Sequence, residues 1–230
     1  MHLLTLNNAK TIKGEKKRVL TGILYLAPAK ISGWEVCPKR SIGCTNSCLY
    51  TAGHGAFSTV QAARIARTKL FFENRDVFMH LLEKDINLLI KQSKKLDYTP
   101  TVRLNGTSDI EWTRFNIIQK FPNVQFYDYT KVVNRFNKKL PDNYHLTFSR
   151  NESNDLDVEI ALLKNANIAV VFDTKKDEPL PLEWKGRKVI NGDEDDIRWM
   201  DEKNVIVGLR AKGKGKKDDS RFVIKTKKYE

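Results

Sequence analysis

The chain has 230 residues, 40% of them hydrophobic, and carries 41 Lys and Arg against 28 Asp and Glu, a net charge of +13. That length suits one large α/β domain, and no apolar run approaches the roughly 20 residues of a membrane-spanning helix. Residues 1–17 lack the apolar stretch and small-residue cleavage site of a secretory signal, so a cytoplasmic protein is expected.

Residues 19–28, VLTGILYLAP, read as a buried strand ended by Pro28. The loop that follows holds every cysteine of the chain, Cys37, Cys44 and Cys48, at spacing C-x6-C-x3-C. Three small buried residues would scatter rather than cluster, and an odd number is no disulfide framework. Three thiols in one loop point instead to a soft or borderline metal. Ser58 is placed to cap a helix to about residue 72, with Val60, Ala63, Ala66 and Leu70 along one side and Arg64, Arg67 and Lys69 elsewhere. A second helix, residues 74–95, sets Phe78, Leu82, Ile86 and Leu89 at helical spacing.

From Pro100 a strand–loop–helix unit repeats without sequence identity. Strands are predicted at 101–104, 124–127, 145–148, 168–172, 188–190 and 205–208. Helices are predicted at 110–121, with Ser108 and Glu111 as a capping pair, around Val132, Val133 and Phe136, and at about 157–164. With residues 19–28 this makes seven strands. Short strands alternating with helices imply a parallel sheet with right-handed crossovers. The expected fold is a single α/β domain over 1–230: a partial or irregular TIM-type (βα) barrel with its core at 19–209. A doubly wound sheet is the competitor, without either of the common glycine-rich phosphate loops. Residues 210–230 carry nine Lys and Arg against three acids and read as a basic C-terminal hairpin around 222–224 or as a disordered tail.

Ligands of parallel α/β folds sit at the carboxyl ends of the strands. Those ends supply Asn105, Gly106, Thr107, Asp109, Ser149, Arg150, Asn151, Asp173 and Arg210 as candidate cofactor- or substrate-binding residues. Asp128, Tyr129, Thr130, Asn191 and Asp193 lie on the same rim. Polar loop residues also cap helices, the role to weigh for Ser108, Thr130 and Ser149. For the metal, His54 could complete a Cys3His zinc site. Alternatively, the three thiolates alone suit a cubane cluster whose fourth iron is open. Arg150, Arg210 and Lys212 favour an anionic small molecule. The basic end and a second cluster at Lys10, Lys13, Lys16, Lys17 and Arg18 favour nucleic acid. No Ser/His/Asp nucleophile pattern or H-E-x-x-H helix is present, so a hydrolase is the weakest class.

The segment Cys37-Pro-Lys-Arg-Ser-Ile-Gly-Cys44-x3-Cys48-Leu-Tyr-Thr-Ala-Gly-His-Gly55 resembles the gene-product-eighty-eight family of bacteriophages. So do Ala63-Arg64…Arg67-Thr68, Arg103-Leu-Asn-Gly-Thr-Ser-Asp109 and Gly208-Leu-Arg-Ala-Lys-Gly213. The resemblance implies a phage protein expressed in the host cell and an iron–sulfur site. At a greater distance the layout is similar to radical S-adenosylmethionine proteins. In those, a three-cysteine loop after the first strand holds a [4Fe–4S] cluster, and a glycine motif after the second contacts the methionine moiety. This implies Cys37, Cys44 and Cys48 as cluster ligands and places Asn105-Gly106-Thr107 at the glycine motif. The cysteine spacing departs from the usual C-x3-C-x2-C, and the acid after paired glycines is missing. Three functions stand as expectations: a [4Fe–4S] protein with radical chemistry, an iron–sulfur electron-transfer protein without S-adenosylmethionine, and a zinc-stabilised nucleic-acid-binding protein.

Overall fold

Nine strands of the computed structural model, which describes residues 1–6 and 14–226, join in one sheet. β1 (Leu4–Thr5) runs antiparallel to β2 (Val19–Leu24). Two short helices, α1 (Ala29–Ser32) and α2 (Ile42–Asn46), then α3 (Ser58–Glu73) and α4 (Arg75–Leu96), lead to β3 (Thr99–Arg103). After α5 (Ile117–Lys120) come β4 (Gln125–Thr130) and β5 (Tyr144–Ser149), then α6 (Asp155–Leu163) and β6 (Ile168–Phe172). β7 (Glu183–Trp184), β8 (Arg187–Asn191) and β9 (Ile206–Arg210) complete the set. The order is β1-β2-β3-β4-β5-β6-β9-β8-β7, parallel from β2 to β8, with β7 antiparallel to β8. From β1 to β6 successive strands are added on one side, unlike the reversal of a doubly wound sheet, and β9 then lies between β6 and β8. β1 and β7 remain as edges, so the sheet is open. All seven predicted strands are present; β1 and β7, two residues each, are too short to leave a pattern.

The crossover from β2 to β3 is the helical hairpin α3–α4. On α4, Phe78, Leu82, Ile86 and Leu89 recur every three to four residues and are fully buried. Asn74 caps it by accepting the Val77 N–H at 3.3 Å. α3 turns a different face inward from the one its alanines suggest. Arg64, Thr68 and Phe71 are buried and Ala63 is exposed. Thr68 Oγ1 accepts the Ala27 N–H and donates to the Arg64 carbonyl, each at 2.8 Å, and the Arg64 guanidinium lies 4.6 Å from the Tyr25 ring centre. Ser58 is the first helical residue rather than the cap, which is Phe57.

The later crossovers are shorter than predicted. Residues 110–121 form a 3-10 turn (Trp112–Phe115) and α5, and residues 133–137 form a single 3-10 turn. Ser108 caps nothing; its hydroxyl donates to Asn105 Oδ1 at 2.8 Å, and Glu111 pairs with Arg114 and Lys138. Only α6 takes its predicted form.

Strand alternation divides the sheet into two faces. Val102, Phe126, Leu146, Phe148, Val170 and Ile206 join the helices in two apolar clusters. Thr101, Arg103, Tyr127, Tyr129, His145, Thr147 and Ser149 point the other way. The segment between β8 and β9 covers part of that polar face. Asp196 accepts from Arg103 of β3 at 2.8 Å and from the Tyr127 hydroxyl of β4 at 3.1 Å, and Lys17, just before β2, pairs with Asp195 at 2.7 Å. A flat sheet would hold β2 and β8 about 29 Å apart at ~4.8 Å per strand, while four extended residues from Asn191 to Asp195 reach about 14 Å. The contacts therefore require a curled sheet with residues 193–201 on its concave side.

In the C-terminal segment, the described residues 210–226 pack on the sheet without forming a hairpin of their own. After a 3-10 turn (Gly213–Lys217), Ile224 lies parallel to β6: its N–H donates to the Val171 carbonyl at 2.8 Å and its carbonyl accepts the Asp173 N–H at 3.0 Å. Space exists there because β5–β6 pairing stops at Ser149 and Ala169. Lys10, Lys13, Lys227, Lys228 and Tyr229 lie outside the described residues. Among the described residues no helix is long and apolar enough to cross a membrane.

Removing the Asp196 carboxylate strands Arg103 beneath the sheet. Asp196→Ala is expected to cost about 3–5 kcal/mol, read as a lower urea midpoint. A second test concerns Asp128, fully buried, which accepts the Asn105 N–H at 2.6 Å and the Tyr144 hydroxyl at 3.0 Å. Burial, outweighing the Asn105 hydrogen bond and Arg103, raises it from 3.8 to about 7. Between those two values the folded chain holds a proton that the unfolded chain has released, so stability falls as pH rises through that window. His145, pushed down to about 4 by burial and Arg198, acts in the opposite sense but is common to both proteins compared. The stability of wild type minus that of Asp128→Asn should decline by on the order of 1–4 kcal/mol from pH 4 to 7.5. A flat difference would refute a raised Asp128.

Candidate thiol-lined site at the strand ends

The cysteine loop is pinned from three sides. Ser41 caps α2 by accepting the Cys44 N–H at 3.2 Å. Glu152, from the loop after β5, accepts both the Ser41 hydroxyl and the Gly43 N–H at 2.6 Å. Asn151 donates to the Lys39 carbonyl at 3.2 Å, and the Val36 carbonyl accepts the Asp109 N–H at 2.7 Å. A Cβ on Gly43 would lie 2.7 Å from the Cβ of Phe222 and 2.9 Å from the Glu152 carboxyl carbon, so this approach requires glycine.

This loop forms one wall of a cavity of roughly 210 Å³. Cys37, Cys44 and Cys48 all line it, facing Arg103, Tyr129, Lys131 and Ser149 from the concave face. Lys131 donates to Ser149 Oγ at 3.2 Å. Burial pulls its pKa down, but Cys44, Asp109, Cys37 and Cys48 together hold the ammonium above its ordinary value. Burial pushes the Cys37 thiol far up, against Lys131. Cys48 is also raised by burial, with the Tyr50 backbone hydrogen bond opposing.

The donor set can be tested against two metal groups. A mononuclear zinc, with Zn–S bonds of about 2.3 Å, gathers its sulfurs within roughly 4 Å of one another. Among the described residues no group of three His, Cys, Asp or Glu could hold a metal ion in this way. His54 is exposed, stacked 5.5 Å from Phe57, and is not part of the cavity wall. A cubane cluster distributes its thiolates over separate irons, so it needs three sulfurs around one space rather than at one point. The three thiols share the wall of one cavity rather than meeting at one point.

The other predicted residues divide into two groups. Asn105, Gly106, Thr107, Asp109, Ser149 and Arg210 line the cavity. A Cβ on Gly106 would stand 2.7 Å from the Leu24 carbonyl, so the chain can pass here only as glycine. Asn105 is consumed by its own loop: its Oδ1 accepts from Ser108, Ile110 and Trp112. Thr107 donates to the Leu26 carbonyl at 2.6 Å, and Asp109 pairs with Arg135 at 2.7 Å. Arg210 spends its guanidinium on Asn191 and on the Lys175 and Glu178 carbonyls. Arg150, Asn151 and Asp173 stand behind the wall as anchors. Arg150 donates to the Arg221 and Phe222 carbonyls, and Asp173 accepts the Thr226 N–H and hydroxyl at 2.8 Å.

The sequence reading missed Arg103, Lys131 and Arg64. Arg103 shares the inward parity of Thr101, and Lys131 that of Tyr127 and Tyr129, a signal that extending the strand alternation by one step would have found. Arg64 is 7% exposed, between the rings of Tyr25 and Tyr50, and its Nε and Nη1 have no hydrogen-bond partner. Burial lowers its pKa, and it interacts electrostatically with Cys48. A buried guanidinium with unpaired N–H groups is costly, and negative charge beside Cys48 would offset that cost.

No curated protein and no solved structure matches this chain. A family model described as gene product 88 matches residues 2–226, a span that includes all three cysteines and the cavity lining. The chain belongs to the gene product 88 family.

Proposed function

We propose that this phage-family protein carries a [4Fe–4S] cluster on Cys37, Cys44 and Cys48, in the reducing host cytoplasm, and uses the adjoining cavity for a small anionic ligand. The observation that carries this reading is the convergence of three thiols from one loop with Lys131 and Arg103 in one cavity at the strand ends. In this view the curled open sheet is a partial TIM-type (βα) barrel. When bound, the cluster would supply one-electron chemistry at an iron without a protein ligand.

The chain's own residues would do the rest. Lys131 and Arg64 balance the negative charge of the thiolates. Arg103, held by Asp196 and lying 4.5 Å from the Tyr129 ring centre, presents a fixed cation to a carboxylate or phosphate. Ser149 adds a hydroxyl, and Gly106 keeps the backbone open to close approach. S-adenosylmethionine is the ligand suggested by the position of Gly106. Against it stand the missing acid and an Asn105 amide already in use, so electron transfer without that cofactor is the alternative. A zinc-stabilised nucleic-acid module is less well supported, because His54 stands away from the thiols.

Anaerobic reconstitution should give a brown protein with about four irons and four sulfides per chain and a paramagnetic signal on reduction. Cys44→Ser should lose most of the iron. A colourless protein holding one zinc per chain after the same treatment would sink the proposal. Arg64→Met should keep its iron while its reduction potential becomes more negative, on the order of tens of millivolts, because a nearby positive charge is gone. An unchanged potential would mean that Arg64 serves packing alone. Incubation with S-adenosylmethionine and reductant should yield 5′-deoxyadenosine; its absence in iron-replete protein selects electron transfer.

A further inference from the structure

The outer rim of the cavity has a charge distribution that a small ligand would not require. The 3-10 turn Gly213–Lys217 reads Gly-Lys-Gly-Lys-Lys and closes one side of the cavity. Its Gly215 is buried, and a Cβ there would stand 3.4 Å from the Ser47 Cβ of the cysteine loop. With glycine facing in, Lys214, Lys216 and Lys217 face solvent. Lys39 and Arg221, whose carbonyls are held by Asn151 and Arg150, are exposed beside the same loop.

Among the described residues none of these five cations makes an ion pair. The neighbouring acids keep their charge but are held by other partners. Asp218 accepts the Ser220 hydroxyl at 2.6 Å and the Val223 N–H at 2.9 Å, Asp193 holds Lys212 at 2.6 Å, and Glu152 holds the cysteine loop. Asp219 is a further exposed acid on this rim. Five cations against Asp218, Asp219 and Glu152 leave the rim net positive, next to the cavity-lining Arg40, Gly215 and Phe222.

We propose that this rim binds the phosphate backbone of a nucleic acid and presents it to the cavity. Lysines on a turn made only of Lys and Gly suit a regular array of phosphates, which are bound through charge and counterion release. An acidic protein surface would instead call for aromatic and arginine anchors, which this turn lacks. The rim's charge does not depend on what the thiols hold, so iron content and nucleic-acid affinity succeed or fail separately.

The test is fluorescence anisotropy with the full-length chain and a labelled 20-nucleotide DNA, single-stranded and duplex, between 50 and 200 mM salt. Lys214→Ser/Lys216→Ser/Lys217→Ser should lower the slope of log affinity against log salt by about 2–3, because three phosphate contacts are lost. The control triple is Lys91→Ser/Lys94→Ser/Lys95→Ser. It removes the same charge from the end of α4 that leads into β3, at the opposite pole of the sheet. It should leave the slope unchanged, and both triples should remain folded at the assay temperature, checked by circular dichroism. Equal losses from the two triples would reduce the effect to net charge and overturn the proposal. So would failure to bind either DNA at 50 mM salt, or tighter binding to polyglutamate than to DNA.

Discussion

Asp196 sits where β3, β4 and the β8–β9 connection meet, and its carboxylate takes bonds from Arg103, Tyr127 and Tyr129. These groups belong to the polar face of a parallel sheet, which in most α/β folds would be covered by helices. Here part of it is covered by nine charge-rich residues whose only regular element is a 3-10 turn at Arg198–Met200. Burial alone would pull Arg103 down, but Asp196 and the tyrosines hold its pKa above the ordinary value. Such a cluster is tolerable only when every partner is in place. Flattening the sheet would leave Asp196, Arg103 and two tyrosine hydroxyls without their bonds, so the polar contacts and the curl stand or fall together.

The position of the cavity follows from that curl. Residues 193–201 occupy the concave side, and Lys17 ties them to the amino end of β2. What remains open is the carboxyl end, where the cysteine loop, the loop after β5 and the C-terminal segment meet. Glu152, Asn151 and Arg150 follow one strand end in immediate succession. Two of them hold the cysteine loop and the third holds the C-terminal segment. Three separate stretches of sequence are thereby joined by one short loop, and the thiols are positioned by groups that never touch them.

Much of the strand pattern was legible because β-branched and aromatic residues alternate with polar ones over four or more positions. The cysteine loop was legible because thiols rarely cluster by chance. What failed did so for two reasons. Local rules were overruled by distant partners: Ser108 satisfies Asn105 instead of capping a helix, and Phe222 to Ile224 find a place beside β6 instead of folding back on themselves. Apolar counting also misassigned α3, whose buried face carries Arg64 and Thr68 rather than its alanines. That exception lies next to Cys48, and conflict between local pattern and fold is expected where a site imposes its own demands.

The charge state of the thiols narrows the chemistry further. A cysteine that works by disulfide exchange or nucleophilic attack needs a lowered pKa. Cys37 and Cys48 are shifted the other way by burial, although Lys131 lies among them and Arg64 beside Cys48. The two cations do not offset burial at Cys37 and Cys48, and both cations are themselves buried and gain from negative charge nearby. The proposed cluster would meet both demands at once. Its iron would draw off the thiol protons, and the resulting thiolates would add negative charge beside Lys131 and Arg64. In the proposed reading, the buried cations around the thiols suit a thiolate-bound cluster with a net negative charge better than a bare divalent cation.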